Sequence, residues 1–379
     1  MSQDITTYFE PNIELEKFKS FLVAHQVFTE CEQALISKIA RPGSFNILSV
    51  VGPTGVGKTQ LLNEVAGTLL GIKENPSKDL SKQPYLPVVY VTATTGHSYE
   101  SRFRSLLLQI VRQVNEAACV YGKVVVPDPA GKMRVRPSSQ TIASLSIARL
   151  EELVRTGLKE RQVRALLIDE AQHLAQGSNA VDWRIVGDGL KVLGSVSGTM
   201  MVLFGTSELL GLPYISGQLG RRSKAIHLRR YLWNNQTDRL EFKKIVSAFG
   251  KGWPTLLPTE FMLANLPLLY AGSLGCTGIL STWLYDAMVV TEQAGLSTVT
   301  VDILKQTALS APKLLKIEQE AKECEDAFLA EQVGLDEMVA KLDETFTPKP
   351  VVKQPAFKLP STKGVSLKRT PKFDAYASV

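Results

Sequence analysis

The chain has 379 residues, of which 44% are hydrophobic and 21% are charged, an ordinary balance for a globular protein of one or two domains. No apolar stretch is long enough to span a bilayer, and the polar, acidic start does not resemble a secretory signal. The four cysteines are widely separated, without the spacing of a zinc site or a disulfide framework. These features predict a cytoplasmic protein without a membrane partner.

The net charge of +6 is concentrated at one end of the chain. Residues 347–379 hold seven basic residues and one acidic residue, so the remaining residues sum to zero. Any DNA binding by the body of the protein must therefore come from local patches. The segment is also rich in proline and lacks apolar periodicity, which predicts a disordered basic tail.

The N-terminal part is predicted to be helical. Residues 1–30 are interpreted as an adaptor segment with at least one helix. A second helix is predicted to start at Thr29, because Glu32 follows at the spacing of a capping box. Pro42 and Gly43 are expected to end it.

Four short apolar runs then alternate with helical patterns, which predicts an α/β domain with a parallel sheet over residues 31–232. Residues 121–139 are basic and turn-rich, and predict a loop or a small hairpin. The predicted buried strands are FNILSVVG, VVYVTA, VRALLIDEA and GTMMVLFGTSEL.

Strand signals stop near residue 235. Residues 233–312 contain several amphipathic segments, which predict a helical lid domain whose last helix starts at Thr300. Residues 313–346 are charged and also helical in pattern, and the basic tail follows them.

The first chemistry-bearing motif is GPTGVGKT at residues 52–59, which matches the P-loop pattern G-x-x-x-x-G-K-[ST]. Its glycines let backbone N–H groups wrap phosphates, Lys58 neutralises phosphate charge, and the Thr59 hydroxyl ligates Mg²⁺. The motif follows a predicted strand and opens a predicted helix, as this chemistry requires. The predicted ATP-binding residues are Gly52, Pro53, Thr54, Gly55, Val56, Gly57, Lys58, Thr59, Gln60 and Asp169.

The second motif is ALLIDE, at residues 165–170. A buried strand delivers two carboxylates at its carboxyl end, where open α/β sheets bind ligands. We predict that Asp169 holds Mg²⁺ together with Thr59, and that Glu170 is the general base for the attacking water. Lys58 completes this catalytic set.

Two polar residues follow the fourth predicted strand. Either Thr206 or Ser207 suits a sensor that orients the attacking water near the γ-phosphate. A turn that caps the next helix is an open alternative for both residues.

Basic residues are densest between residues 217 and 230. Arg221 or Arg222 suits an arginine finger that reaches a neighbouring subunit's γ-phosphate. Contact with DNA phosphates and a solvated basic loop are the alternatives. Weaker candidates for DNA contact lie at the beginning of the long helix after the second strand and in the turn-rich stretch that follows it: Arg102, Arg104, Lys123, Lys132, Arg134 and Arg136.

Taken together, the chain resembles AAA+ ATPases, and among these the transposition regulators called TnsC and TniB. The resemblance covers roughly residues 30–310 and is carried by GPTGVGKT, LLIDEAQHL, FGTSEL, the GRRS arginines and AGSLGCTGILSTWL. It implies a P-loop AAA+ fold, with ATP and Mg²⁺ bound between subunits of a ring or filament on duplex DNA. It further implies a bacterial, nucleoid-associated protein.

The resemblance also implies partners. The family recruits transposase subunits and receives target choice from a TniQ- or TnsD-like protein or an RNA-guided complex. The basic tail suits a short anchor for such a partner, although a solubilising tail remains an alternative. Hydrolysis is expected to be slow and to disassemble the oligomer.

One departure concerns the lid. Many AAA+ proteins carry a sensor arginine there, and residues 272–278 contain none, which argues against a replication initiator of the origin-recognition kind. Two other functions stay open: a helicase loader that prefers single-stranded DNA, and a signalling switch that binds only proteins.

Overall fold

The computed structural model describes residues 13–43, 46–71, 85–96, 98–119, 125–127, 133–135, 144–175, 185–190, 193–194, 198–214, 217–331 and 339. The chain divides into two units, Met1–Gln332 and Val333–Val379, and only Val339 of the second unit is described. The predicted basic tail lies outside the described residues. Within the described part, none of the helices has the length and apolar character to cross a membrane.

The N-terminal part forms two helices, α1 (Ile13–Ser20) and α2 (Gln26–Ala40). The predicted start at Thr29 is wrong, because the N-cap of α2 is His25, whose side chain accepts a hydrogen bond from the Phe28 N–H. The predicted boundary at residue 30 consequently falls inside a helix. The helix ends just before Pro42 and Gly43, as predicted.

The central element is a five-stranded parallel sheet with the order β2-β5-β6-β1-β7. All four predicted strands are confirmed, and the fifth, β7, was not predicted. Its sequence, SKAIH, is only partly buried and lacks the apolar run of the central strands. The strands are β1 (Ile47–Val51), β2 (Val88–Thr92), β5 (Ala165–Asp169), β6 (Met200–Gly205) and β7 (Ser223–His227).

A separate antiparallel hairpin joins β3 (Val125–Pro127) to β4 (Met133–Val135), which confirms the hairpin alternative for residues 121–139. Helices lie between the strands of the main sheet. In chain order they are α3 (Lys58–Leu70), α4 (Tyr99–Cys119), α5 (Ile147–Glu160) and α6 (Gly217–Arg222). Two 3-10 segments, Ala171–Ala175 and Ser207–Tyr214, follow β5 and β6.

Every residue of β1, β5 and β6 is buried, as expected for parallel strands covered on both faces. Because the strands are parallel, their carboxyl ends meet at one edge of the sheet. The P-loop follows β1, Asp169 is the last residue of β5, and Thr206 follows β6. The sheet therefore brings the predicted phosphate-binding and catalytic residues to the same edge.

The C-terminal part of the first unit is helical, as predicted. The Thr300 side chain accepts from the Ile303 N–H and so caps its helix, also as predicted. Helix α1 packs against this part through Phe18, whose ring contacts Phe249 and Trp253. The helices are α7 (Gln236–Gly252), α8 (Thr259–Ala264), α9 (Leu266–Ser273), α10 (Thr277–Gln293), α11 (Val301–Thr307) and α12 (Ala311–Glu331).

Candidate functional site

The P-loop connects the buried strand β1 to helix α3. Gly55 and Gly57 have φ angles of 74° and 106°, a region that residues with a Cβ rarely adopt. Gly57 is also the N-cap of α3 and supplies no side chain to its exposed backbone N–H groups. The loop therefore presents a helix N-terminus that can receive an anion.

Lys58 is folded back onto its own loop. Its Nζ donates to the carbonyl oxygens of Gly52 and Pro53, at 2.8 and 3.0 Å. Burial lowers the pKa of this ammonium, while the carboxylates of Glu170 and Asp169 oppose that shift. Phosphate oxygens offer stronger, charge-assisted acceptors than the two carbonyls, so Lys58 can exchange one set of partners for the other.

Thr59 and Asp169 meet directly. The Thr59 hydroxyl donates to Asp169 Oδ2 at 2.7 Å, and Asp169 Oδ1 accepts from the Glu170 N–H at 2.9 Å. A hydroxyl oxygen beside a buried carboxylate oxygen is the hard oxygen donor set that Mg²⁺ prefers. These two residues fit the predicted metal role.

Glu170 has a strained backbone. Its φ of 50° is rare for a residue with a long side chain, and such strain is concentrated at functional sites. The Gln172 side-chain amide donates to Glu170 Oε2, and His173 Nε2 lies 3.9 Å from the same oxygen. Gln172 and His173 thus orient the predicted general base, a role that the sequence motif did not assign to them.

The structure distinguishes the two sensor candidates. The Thr206 Oγ1 atom is buried and has no hydrogen-bond partner among the described residues, whereas Ser207 starts the following 3-10 segment. An unsatisfied buried hydroxyl costs free energy and needs an explanation. A water or phosphate oxygen at this edge of the sheet would satisfy it, so Thr206 is the stronger sensor candidate.

Thr206→Val is expected to slow ATP hydrolysis about tenfold, because valine keeps the shape and removes the hydroxyl that would hold the water. The same change is expected to leave the free energy of unfolding equal or slightly higher, since the lost hydroxyl has no partner. Steady-state hydrolysis and thermal unfolding measure both effects. Ser207→Ala is the matched control, and a larger rate loss in that variant would favour Ser207 instead.

A cavity of about 200 Å³ opens beside the C-terminal end of the P-loop, at Gly57. It is lined by Gly57 and Gln60, by the α10 residues Thr277 and Gly278, and by residues 21–23, 25 and 28. Burial lowers the pKa of His25 in this wall to about 4, so its ring is neutral. The predicted adaptor segment therefore contributes to the candidate nucleotide site, which its sequence did not indicate.

Helix α10 begins directly on the P-loop. The Ile279 N–H donates to the Gly55 carbonyl at 3.1 Å, and the Thr277 hydroxyl donates to the Val56 carbonyl at 3.2 Å. A Cβ at Gly278 would lie 2.6 Å from the Gly55 oxygen, so this approach requires glycine. The helical part thus touches the loop backbone without a sensor arginine.

Arg221 and Arg222 lie at the opposite edge of the sheet from the P-loop. They end α6 just before β7, whose first residue pairs with Ile47 at the start of β1. The P-loop follows the other end of β1, about 16 Å away along a five-residue strand. Neither arginine is placed to serve the nucleotide site of its own chain.

The neighbouring Arg229 and Arg230 are engaged in ion pairs. Arg229 forms a bidentate ion pair with the Asp238 carboxylate. The Arg230 guanidinium donates to the two carboxylate oxygens of Glu325, at 2.7 and 3.3 Å. Only 6% of the Arg230 side chain is exposed. These two residues therefore stabilise the fold, which reduces the predicted basic cluster to residues 217–224.

The predicted DNA contacts are only partly described. Arg102 is buried and donates to the carbonyls of Leu174 and Gly96, and Arg104 donates to the Leu145 carbonyl. Arg102 is therefore engaged within the fold, whereas Arg104 is only half-buried and stays a predicted DNA contact. Arg134 lies on β4, and its side chain is outside the description, as are Lys123, Lys132 and Arg136.

Comparison with known proteins identifies the class of the central part. Residues 43–212 match the family model of an AAA domain. No curated protein sequence matches the chain.

Several solved structures resemble the chain at low identity. The ORC2 protein of Aeropyrum pernix, in its ADPNP-ADP complexes, has a TM-score of 0.47, 14% identity, and coverage of 78% of this chain and 71% of that one. Domain III of the Thermotoga maritima replication initiation protein DnaA has a TM-score of 0.43, 15% identity, and coverage of 79% and 97%. Drosophila ORC bound to DNA has a TM-score of 0.45, 16% identity, and coverage of 91% and 87%.

The AAA domain, the P-loop and the parallel sheet define an AAA+ P-loop fold with a helical C-terminal region. This fold is that of nucleotide-binding and nucleotide-hydrolysing ATPases.

Proposed function

We propose that this protein is an ATP-dependent, DNA-binding AAA+ regulator of DNA transposition. In this proposal it oligomerises on duplex target DNA, links a target-selection protein to the transposase, and disassembles when ATP is hydrolysed. The proposal rests on the sequence resemblance to TnsC and TniB and on the geometry of the nucleotide site. The single observation that carries it is the position of Arg221 and Arg222, which suits assembly between subunits.

The nucleotide part of the proposal assigns one role to each group of residues. The N–H groups of residues 54–59 and the Lys58 ammonium bind the phosphates, and the cavity beside Gly57 takes the base. Thr59 and Asp169 would hold Mg²⁺, which would supply neutralisation of phosphate charge. Glu170, oriented by Gln172, accepts the proton of the attacking water, and Thr206 orients that water.

The intersubunit part follows from distance. Because Arg221 and Arg222 lie at the sheet edge away from their own P-loop, they can stabilise γ-phosphate charge only on a neighbouring subunit. ATP then bridges two subunits, and hydrolysis removes the bridge. This coupling between nucleotide and assembly is what a DNA-loaded regulator needs.

A mixing experiment tests this arrangement. Glu170→Gln has an intact arginine pair and a disabled base, while Arg221→Ala/Arg222→Ala has an intact base and no arginine. Each variant alone is expected to hydrolyse ATP very slowly. An equal mixture is expected to recover about a quarter of the wild-type rate, because a quarter of the interfaces in a randomly mixed oligomer pair an intact site with an intact arginine. No recovery on mixing would contradict action in trans.

The DNA and transposition parts need a direct test. Electron microscopy of the protein with duplex DNA, with and without a non-hydrolysable ATP analogue, is expected to show rings or filaments only with the analogue. Binding measured at two salt concentrations reports the number of phosphate contacts.

The outcomes separate the alternatives. Preference for single-stranded DNA would indicate a helicase loader. Absence of any DNA affinity would indicate a protein-only switch, which the zero net charge outside residues 347–379 would suit. Rings or filaments on duplex DNA, followed by retention of transposase subunits on them, would support the regulator.

A further inference from the structure

A second cavity, of about 330 Å³, lies at the phosphate end of the P-loop. One wall is formed by the loop residues Gly52, Pro53 and Thr54, and another by residues 206–208 after β6. The third wall is helix α12, which follows the lid and packs against the 3-10 segment Ser207–Tyr214. The α12 residues in this wall are Lys316, Glu320, Glu323 and Cys324.

The charges in this cavity oppose phosphate binding. Glu208, Glu320 and Glu323 contribute three carboxylates, whereas Lys316 is the only cation among the described residues of the lining. The Lys316 Nζ already lies 3.8 Å from Glu320 Oε1. The negative excess raises the energy of a γ-phosphate bound nearby, and it offers a neighbouring subunit's arginine a competing partner.

Helix α12 is weakly attached to the rest of the fold. Its fully buried side chains, among those described, are Ala321 and Cys324, which are both small. Only the partly buried Ala327 and Phe328 of α12 pack against the main hydrophobic cluster. By contrast, α10 places five buried side chains in that cluster: Leu280, Trp283, Leu284, Ala287 and Met288. Little apolar burial is lost if α12 moves away.

Two specific contacts hold α12 near its C-terminal end. Glu325 forms the ion pair with Arg230, and the Phe328 ring contacts the His227 ring in a tilted arrangement, with 4.7 Å between the ring centroids. Arg230 and His227 both belong to the segment that includes and follows β7, the strand beside β1. The attachment is therefore local, with one ion pair and one ring contact, which suits a contact that must open and close.

We propose that α12 is an inhibitory strap on the nucleotide site. In the single chain it covers the phosphate end of the P-loop and the space that a neighbouring subunit's arginine has to enter, and it moves aside when ATP-bound subunits assemble. This inference rests on the proposed function, since it assumes that ATP binds here and that subunits meet at this face.

The test compares two full-length double variants that each remove two acidic charges from α12. Glu320→Gln/Glu323→Gln neutralises the carboxylates that face the cavity. Glu318→Gln/Asp326→Asn neutralises two on the same helix that are not in its lining, and it is the matched control. Fluorescence titration measures ATP and ADP affinity, and hydrogen exchange measures the protection of residues 311–331 with and without the ATP analogue and duplex DNA.

The cavity-facing variant is expected to bind ATP about tenfold more tightly than wild type, with ADP affinity changed less than about twofold, because only ATP carries the γ-phosphate. The control is expected to match wild type. In wild type, the amides of α12 are expected to exchange faster once the analogue and DNA induce assembly.

Equal ATP affinity in the two double variants would overturn the strap, as would an α12 that stays protected in the assembled state. Absence of ATP binding in wild type and both variants would overturn the proposed function and the strap together. If instead the protein binds ATP and assembles while α12 stays protected, only the strap is overturned and the proposed function is retained.

Discussion

Glu170→Gln is expected to slow ATP hydrolysis by about a hundredfold or more while ATP affinity stays within about threefold of wild type. Glutamine keeps the size and the contact with Gln172 but cannot accept a proton from water. The left-handed backbone at this residue is equally accessible to glutamine, so the fold is expected to be retained. Single-turnover hydrolysis and nucleotide titration measure the two quantities separately.

The assembled state is expected to accumulate in this variant, because the step that removes the ATP bridge is blocked. Glu260→Gln, an exposed change on α8, serves as the control and is expected to behave as wild type. If Glu170→Gln hydrolysed ATP at the wild-type rate, the general base would have to be another group.

Lys58→Ala is expected to weaken ATP binding by about a hundredfold or more, and with it to abolish assembly on DNA. The ammonium is the fixed cation beside the predicted phosphate position, and its charge-assisted hydrogen bonds to phosphate oxygens are lost. Isothermal titration with the ATP analogue measures the affinity, and electron microscopy with duplex DNA measures the assembly.

Lys58 also holds the Gly52 and Pro53 carbonyls, so thermal unfolding has to show that the variant is folded. Lys244→Ala removes an exposed lysine whose side chain is 72% accessible, and it is the matched control. Wild-type assembly by a folded Lys58→Ala variant would contradict the proposed role of ATP in assembly.

The parts of the site that local sequence determines were predictable. The P-loop and the acidic strand end are contiguous motifs whose residue types follow from phosphate and metal chemistry. Their strands are continuous apolar runs, because both faces of a central parallel strand are buried. The meeting of Thr59 with Asp169 follows once the two strands lie in one sheet.

The parts that depend on long-range contacts were not predictable. The sequence does not show whether an arginine is exposed or buried. Arg230 is buried because it forms an ion pair with Glu325 of α12, which lies far along the chain. The cap of α2 is a histidine, and Tyr231, far along the chain, fixes the His25 ring through a 2.9 Å contact. Strand β7 is too polar to stand out, and it forms because the edge of β1 is available for pairing.

The joint between Gly278 and the P-loop bears on how the helical part could follow the nucleotide. A sensor arginine responds to phosphate charge through its own side chain, whereas here the first turn of α10 is hydrogen-bonded to the carbonyls of Gly55 and Val56. If those peptide groups rotate so that their N–H groups point toward a phosphate, their carbonyl oxygens move as well. The hydrogen bonds from Ile279 and Thr277 must then lengthen or bend, or α10 must move with the loop. The loop and the helical part are therefore mechanically coupled, and a side chain at position 278, whose Cβ would lie 2.6 Å from the Gly55 oxygen, is expected to break this coupling.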